Sequence, residues 1–210
     1  MPSNSIVQES NFYKEVIRCP WSGKHADYQA YHDYEWGRPT SNDSSLFEKI
    51  CLEGFQSGLS WLTILRKRED FRFCFDDFEP RLVADFDSHK IEELLGNERI
   101  IRNRAKIASA INNASHALEI IHEYGSLSRY FWKFAPKQTG NFATSIIPTF
   151  TEESQNLSKD LKKRGWKFVG PTTLYSFMQA VGIVNDHLIN CWVYEEVEEE
   201  QRKNRLNNLY

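Results

Sequence analysis

The sequence has no apolar run approaching the roughly 20 residues that a membrane-spanning helix requires, and its first 17 residues lack the apolar stretch of a signal peptide. A cytoplasmic chain without membrane partners is therefore expected. Cysteine is scarce, four in 210 residues; in an intracellular chain of this size these read as core thiols or metal ligands and not as a disulfide framework. Excess charge is missing too: 26 Lys and Arg against 29 Asp and Glu leave a net −3, which by itself argues against a nucleic-acid partner. Period-2 alternation long enough for a sheet is absent, as is any internal repeat. What is present, 40% hydrophobic and 14% aromatic residues, suffices for one large domain or two small lobes and excludes a disordered chain.

The neutral total hides a distribution. Glu195, Glu196, Glu198, Glu199 and Glu200 crowd the C-terminal end, whereas Lys159, Lys162, Lys163, Arg164 and Lys167 form one basic cluster and Arg99, Arg102, Arg104 and Lys106 another. Residues 1–17 read as a polar extension, 18–194 as the folded domain, and 195–210 as a charged tail or frayed helix. A monomer is the expected state.

Within the domain the apolar spacing is helical. Ile107, Ile111, Ala114, Leu118 and Ile121 form one stripe that stops at Gly125. Leu46, Phe47, Ile50 and Cys51 form another, started by Asn42, Asp43 or Ser45, with Ser45 and Glu48 at capping-box spacing. Leu174, Phe177, Met178 and Val181 form a third between Pro171 and Gly182. The expected fold class is all-α.

Three constellations stand out. Leu157 and Leu161 mark a short helix that meets Gly165; Trp166 to Gly170 then turn the chain into the Pro171 helix. This is an ordinary αα-corner, or else a phosphate clamp in which a glycine turn, a helix N-terminus and lysines grip one nucleic-acid backbone. Cys19 and His32, with His187 and Cys191 four apart as on one helix face, make a tetrahedral Zn²⁺ set without an open position, which would staple the N-terminal segment to the last helix. The alternative is that they are satisfied core residues. Glu53, at i+7 from Leu46 and i+3 from Ile50, falls near the apolar face of its helix. Either the helix ends at Gly54 and Glu53 reaches solvent, or the carboxylate has a task. Trp61 and the run of Trp21, Tyr28, Tyr31, Tyr34 and Trp36 could supply aromatic walls for a flat cation, or could be plain core.

Taken in order, these segments resemble the 3-methyladenine DNA glycosylase I family over roughly Arg18 to Tyr194. The resemblance rests on Arg18-Cys19-Pro20-Trp21, on Tyr31-His32-Asp33-Tyr34-Glu35-Trp36-Gly37, and on Leu46 to Gly54 leading to Gly58-Leu59-Ser60-Trp61. It continues through Ile100-Ile101-Arg102-Asn103-Arg104, Lys162 to Gly170, and Tyr175 to Ala180 followed by Val184-Asn185-Asp186-His187. It implies a helix-hairpin-helix glycosylase fold with a structural zinc on Cys19, His32, His187 and Cys191. It also implies a base pocket of Glu53, Trp61, Tyr28, Tyr31 and Trp21, with Glu53 catalytic, and a DNA-gripping hairpin at Gly165, Lys167, Val169, Gly170 and Thr172.

The implied reaction is hydrolysis of the N-glycosidic bond of 3-methyladenine flipped out of double-stranded DNA, leaving an abasic site. Relatives such as endonuclease III carry a catalytic aspartate where Asn185 aligns, and strand-cleaving relatives a lysine where Thr172 aligns, so a monofunctional enzyme is expected. Their first hairpin glycine is Phe168 here, a form the 3-methyladenine family shares. A non-catalytic zinc-stapled DNA-binding module, and a same-fold enzyme for another alkylated base, are the competing expectations.

Overall fold

The computed structural model describes residues 16–137 and 147–208, with side chains as far as Arg205. Most of the expected N-terminal extension, residues 1–15, lies outside the described residues. Eleven α-helices and no strand are found among them: α1 (Ala26–Tyr34), α2 (Asp43–Gln56), α3 (Trp61–Arg66), α4 (Arg68–Cys74), α5 (Pro80–Ala84), α6 (Ser88–Gly96), α7 (Arg104–Tyr124), α8 (Leu127–Trp132), α9 (Glu152–Lys163), α10 (Pro171–Ala180) and α11 (Tyr194–Asn208). The all-α expectation agrees with this architecture, and no helix among the described residues is long and apolar enough to cross a membrane.

Local chemistry sets the helix ends. Asn42 caps α2 by accepting from the Ser45 amide, so the Ser45–Glu48 spacing is not used as a cap. Asn103 caps α7, and Gly125 in the left-handed region (φ 85°) ends it. Thr151 and Ser154 form a reciprocal capping box on α9, and Pro171 opens α10 at a position where its missing N–H costs nothing.

Helix α2 sits at the centre. It packs against α10, α7, α8 and α3, and every residue from Leu46 to Phe55 is buried. It therefore has no wet face along that stretch, and its charged residues must be neutralised inside the protein or left costly. Lys106 closes its C-terminal end: Nζ donates to the carbonyls of Phe55 (2.9 Å) and Ser57 (2.6 Å), where helix geometry leaves acceptors free.

The C-terminal stretch that reads as a charged tail or frayed helix is the helix α11, docked on the domain with Val197 and Gln201 fully buried. Gln201 Nε2 donates to the carbonyls of Gly37 (2.8 Å) and Val184 (3.0 Å), and Arg38 pairs with Glu196 and Glu200. The docked face is held largely by hydrogen bonds and ion pairs, which leave no apolar stripe for sequence periodicity to detect.

Candidate active site

Charge accounting along α2 isolates one residue. Glu48 (6% exposed) takes a bidentate pair from Arg72, at 2.9 Å for each contact. Lys49 pairs with Glu35, which also accepts from Arg68 at 2.6 and 2.7 Å. Glu53, one turn further on and 6% exposed, has no hydrogen-bond partner among the described residues. Burial pushes its carboxyl up to about 8, only partly offset by Lys49, whose charge is already engaged by Glu35. The same carboxyl helps raise the Tyr28 and Tyr31 hydroxyls, after burial itself. The helix continues past Gly54, so the solvent-exposed alternative for Glu53 is excluded.

Glu53 lines a cavity of about 250 Å³ walled by Trp21, Tyr28, Tyr31, Trp36 and Trp61, with Gln56, Ile147, Ser176 and Gln179 completing it. The aromatics support one another: Trp21 lies 5.2 Å from Tyr28 and 4.8 Å from Trp36, and Tyr31 lies 5.5 Å from Trp61, between ring centroids. The indole N–H groups of Trp21 and Trp61 are buried without acceptors among the described residues. A cavity with π faces, one unpartnered carboxylate and unspent donors suits a flat, cationic, hydrogen-bonding ring. All five residues expected in a pocket are brought together. Trp36 appeared in the sequence only as part of an aromatic run; Ser176 and Gln179 fell within the Tyr175 to Ala180 stretch that carries the resemblance without being singled out, and Gln56 gave no signal, because packing decides what each faces.

Glu53, Gln56 and Ser176 also border an adjoining groove completed by Ser57, Gly58, Leu59, Thr172 and Thr173. This groove leads from the cavity to the hairpin between α9 and α10. There, Asn113 of α7 grips the Lys167 backbone from both sides, accepting from its amide (2.8 Å) and donating to its carbonyl (2.9 Å). Asn112 donates to the Gly165 carbonyl at 3.0 Å. Gly165 has φ 92°, and a Cβ there would meet His116 Nε2 at 2.6 Å, so the turn requires glycine. Phe168 adopts φ 54°, a left-handed conformation that costs a non-glycine residue roughly 1–2 kcal/mol. The amides of Gly165 and Lys167 are thus spent internally, whereas those of Val169, Gly170, Thr172 and Thr173 have no acceptor among the described residues. The hairpin presents a row of free N–H groups beside the groove.

The two basic clusters part company. Arg99, Arg104 and Arg102 make exposed ion pairs with Asp70, Glu92 and Glu98, and the buried Lys106 caps α2, so the charges of that cluster are engaged within the chain. Near the hairpin, Arg164 is held by Glu123 and Asp160, while Lys167 is exposed and without an ion pair among the described residues.

Behind the aromatic wall lies the Cys/His set. The ligand atoms of Cys19, His32, His187 and Cys191, all buried, lie within 4.8 Å of one another. His187 and Cys191 are not on a helix, contrary to the expectation from their spacing. They sit in the loop between α10 and α11, and converge because a turn returns the Cys191 amide to the Leu188 carbonyl (2.8 Å). Gly182 makes this approach possible; its φ is 74°, and a Cβ would collide with the backbone of Arg38 and Pro39 at 2.6–2.7 Å.

The donor geometry fits a tetrahedral ion. Sulfur-to-nitrogen separations are 3.6, 3.5 and 3.7 Å, against roughly 3.5–3.6 Å for a tetrahedron with typical Zn–S and Zn–N lengths. Each imidazole is oriented from behind: His32 Nδ1 faces Asp33 Oδ1 at 2.7 Å, and His187 Nε2 faces the Trp36 carbonyl at 3.0 Å. Asp33 in turn is held by Arg18 and Trp192. The two cysteines are close enough to share one proton, which pulls the Cys191 thiol down and pushes the Cys19 thiol up. A divalent ion would replace that proton and take both thiolates. Cys51 and Cys74 are buried elsewhere as core thiols.

Comparison with known proteins gives one answer. The family model described as Methyladenine glycosylase matches residues 21–194. DNA-3-methyladenine glycosylase 1 of Escherichia coli (strain K12) is 47% identical over 180 residues, covering 84% of this chain and 96% of that protein. DNA-3-methyladenine glycosylase of Haemophilus influenzae is 45% identical over 179 residues, covering 84% and 97%. A crystal structure of a variant 3-methyladenine DNA glycosylase I in complex with 3-methyladenine superposes with a TM-score of 0.79 at 36% identity, covering 84% of this chain and 97% of that one.

Proposed function

The chain belongs to the methyladenine glycosylase family, and from that premise we propose that it excises 3-methyladenine from double-stranded DNA by hydrolysing the N-glycosidic bond. The observation that carries this reading is Glu53: it is the buried charge of α2 left without a partner, and it lines an aromatic cavity. Attack on the glycosidic bond requires the base to leave the stack, and the groove from the hairpin to the cavity is the path for it.

Methylation at N3 makes the base cationic. The same charge draws it to Glu53 and the rings and makes it a better leaving group, so selection and rate assistance share one cause. No other carboxylate lines the cavity or the groove among the described residues. Asn185 donates to the Tyr194 carbonyl and to Glu198, and is engaged in structure. With Thr172 at the groove, no lysine lines the cavity or the groove among the described residues, and water completes the reaction, leaving an abasic site without strand cleavage. The four Cys/His ligands are proposed to hold one Zn²⁺, whose contribution is a closed structural cross-link and not chemistry at the base. The protein acts as a monomer, its domain of Arg18 to Tyr194 closed by the docked α11, with the hairpin amides of Val169, Gly170 and Thr172 and the Lys167 ammonium meeting phosphates.

Incubation with methylated DNA followed by chromatography is expected to show free 3-methyladenine with strands intact until the abasic sites are cleaved chemically. Protein that binds this DNA, retains its metal and releases no base would instead be a binding module; release chiefly of another alkylated base would move the substrate. Lys167→Ala is expected to weaken binding to all sequences alike and to lower the slope of log affinity against log salt by about one unit. A sequence-selective loss would contradict the phosphate role.

A further inference from the structure

Gln179 lies on α10 one turn after Ser176 and lines the aromatic cavity. Its Nε2 donates to Asp186 Oδ2 at 2.6 Å, and the Tyr175 hydroxyl donates to the same oxygen at 2.6 Å. Tyr175 and Asp186 are 2% and 3% exposed, and Asp186 Oδ1 is buried without a partner. Burial first, and the Asp186 bond second, push the Tyr175 hydroxyl well above the usual phenol range, so it remains a donor. A carboxylate oxygen that already accepts from a phenol can only accept again, which fixes the NH₂ end of the Gln179 amide against Asp186. The carbonyl end is thereby fixed as well, and Oε1 has no hydrogen-bond partner among the described residues.

We propose that Gln179 is a specificity-determining residue whose carbonyl accepts a hydrogen from the 6-amino group of the damaged adenine, and that Asp186 is the positioning residue that keeps this carbonyl turned to the base. The proposal rests on the cavity being the 3-methyladenine site. Methylated at N3 and still joined to sugar at N9, guanine has N–H donors at N1 and on its 2-amino group, and adenine only on its exocyclic amino group. In adenine that group sits at C6 and carries two hydrogens, and the cavity offers two unpartnered acceptors, the Glu53 carboxylate and the Gln179 carbonyl. In guanine C6 carries an oxygen, which would face those acceptors as a third. A site built to receive an N–H at the C6 position rejects the analogue that presents an oxygen there more strongly than any change in apolar shape could.

The test uses DNA containing both 3-methyladenine and 3-methylguanine, with both released bases resolved from one reaction, so that the rate ratio is internally controlled. Gln179→Met, which keeps length and removes the carbonyl, is expected to reduce the preference for 3-methyladenine roughly tenfold, the equivalent of one hydrogen bond. Asp186→Asn lets the Gln179 amide flip and present NH₂ to the base; it should reduce the preference at least as much. Tyr175→Phe keeps the Asp186 side chain against the Gln179 NH₂ and should change the ratio less than twofold. A ratio within twofold of wild type in Gln179→Met, or equal loss on both bases, would overturn the proposal. If Asp186→Asn fails to fold beside His187, Gln179→Met decides alone. Wild-type protein that releases no 3-methyladenine would bring down the excision reading itself, a result distinct from an unchanged ratio.

Discussion

Replacing Glu53 by glutamine is expected to lower 3-methyladenine release by roughly 10²–10³-fold, the usual cost of removing one preorganised electrostatic contact from a reacting site, while raising the melting temperature of the free protein. The two effects have one origin. Burial pushes the Glu53 carboxyl from an ordinary 4.5 up to about 8. A group whose folded-state value is raised contributes most below its unfolded value, and that contribution is lost as pH climbs through the folded value. Stability should therefore decline between about pH 4.5 and pH 8. At pH 7 the penalty is on the order of 3 kcal/mol, taking about 1.4 kcal/mol for each unit between the unfolded value and the ambient pH.

Glutamine fills the same space with no charge to desolvate. The melting-temperature gain of Glu53→Gln over wild type should therefore be near zero at pH 4.5, grow toward pH 8 and level off above it. Thermal melts across that range, paired with base-release rates, separate the two roles. A variant that loses stability at every pH would make Glu53 a structural residue. The same titration sets the pH dependence of capture: a cationic base needs the carboxylate, so kcat/KM should rise with pH toward the free-protein value near 8, whereas kcat, which reports the loaded site, should titrate lower.

Cys191→Ala is expected to abolish metal binding and to destabilise the protein by on the order of 4 kcal/mol, with wild type holding about one zinc per chain by elemental analysis. The loss should be local first. Cys19 and Cys191 share a small cluster with Val193 and Val197, separate from the main core that includes α2 and α10. Hydrogen exchange should accordingly rise first in α11 and the Cys19 segment, while α2 and α7 stay protected. The pocket should suffer as well. Trp36 packs edge-on against His187 at 4.6 Å, and Trp21 against His32 at 5.2 Å, so the two histidines of the Cys/His set form the outer side of the aromatic wall. Base capture should weaken even though no ligand residue lines the cavity. A zinc-free wild type of undiminished stability would sink the staple.

Much of this was legible in the sequence wherever neighbours along the chain act on one another. The α2, α7 and α10 helices follow from apolar spacing and from Asn42, Gly125, Pro171 and Gly182 as punctuation, because capping and periodicity are local physics. Glu53 and the Cys/His set were legible as residue types that need a partner or a task when buried, and the pocket aromatics through the family resemblance. Long-range packing decided the rest. His187 and Cys191 converge through a loop and not a helix face, since the close approach at Gly182 brings that loop onto Trp36 and Gly37. The acidic C-terminal run docks because Gln201 and Arg38 find partners more than 150 residues away along the chain. Ion pairing likewise separated the basic clusters, tying up one cluster while leaving Lys167 free. The sequence by itself determined which elements form and which side chains have reactive chemistry. Only the tertiary structure decided that Glu53, alone among the charges of α2, has no partner, because pairing depends on what the other helices bring beside it and burial sets the cost of leaving it unpaired.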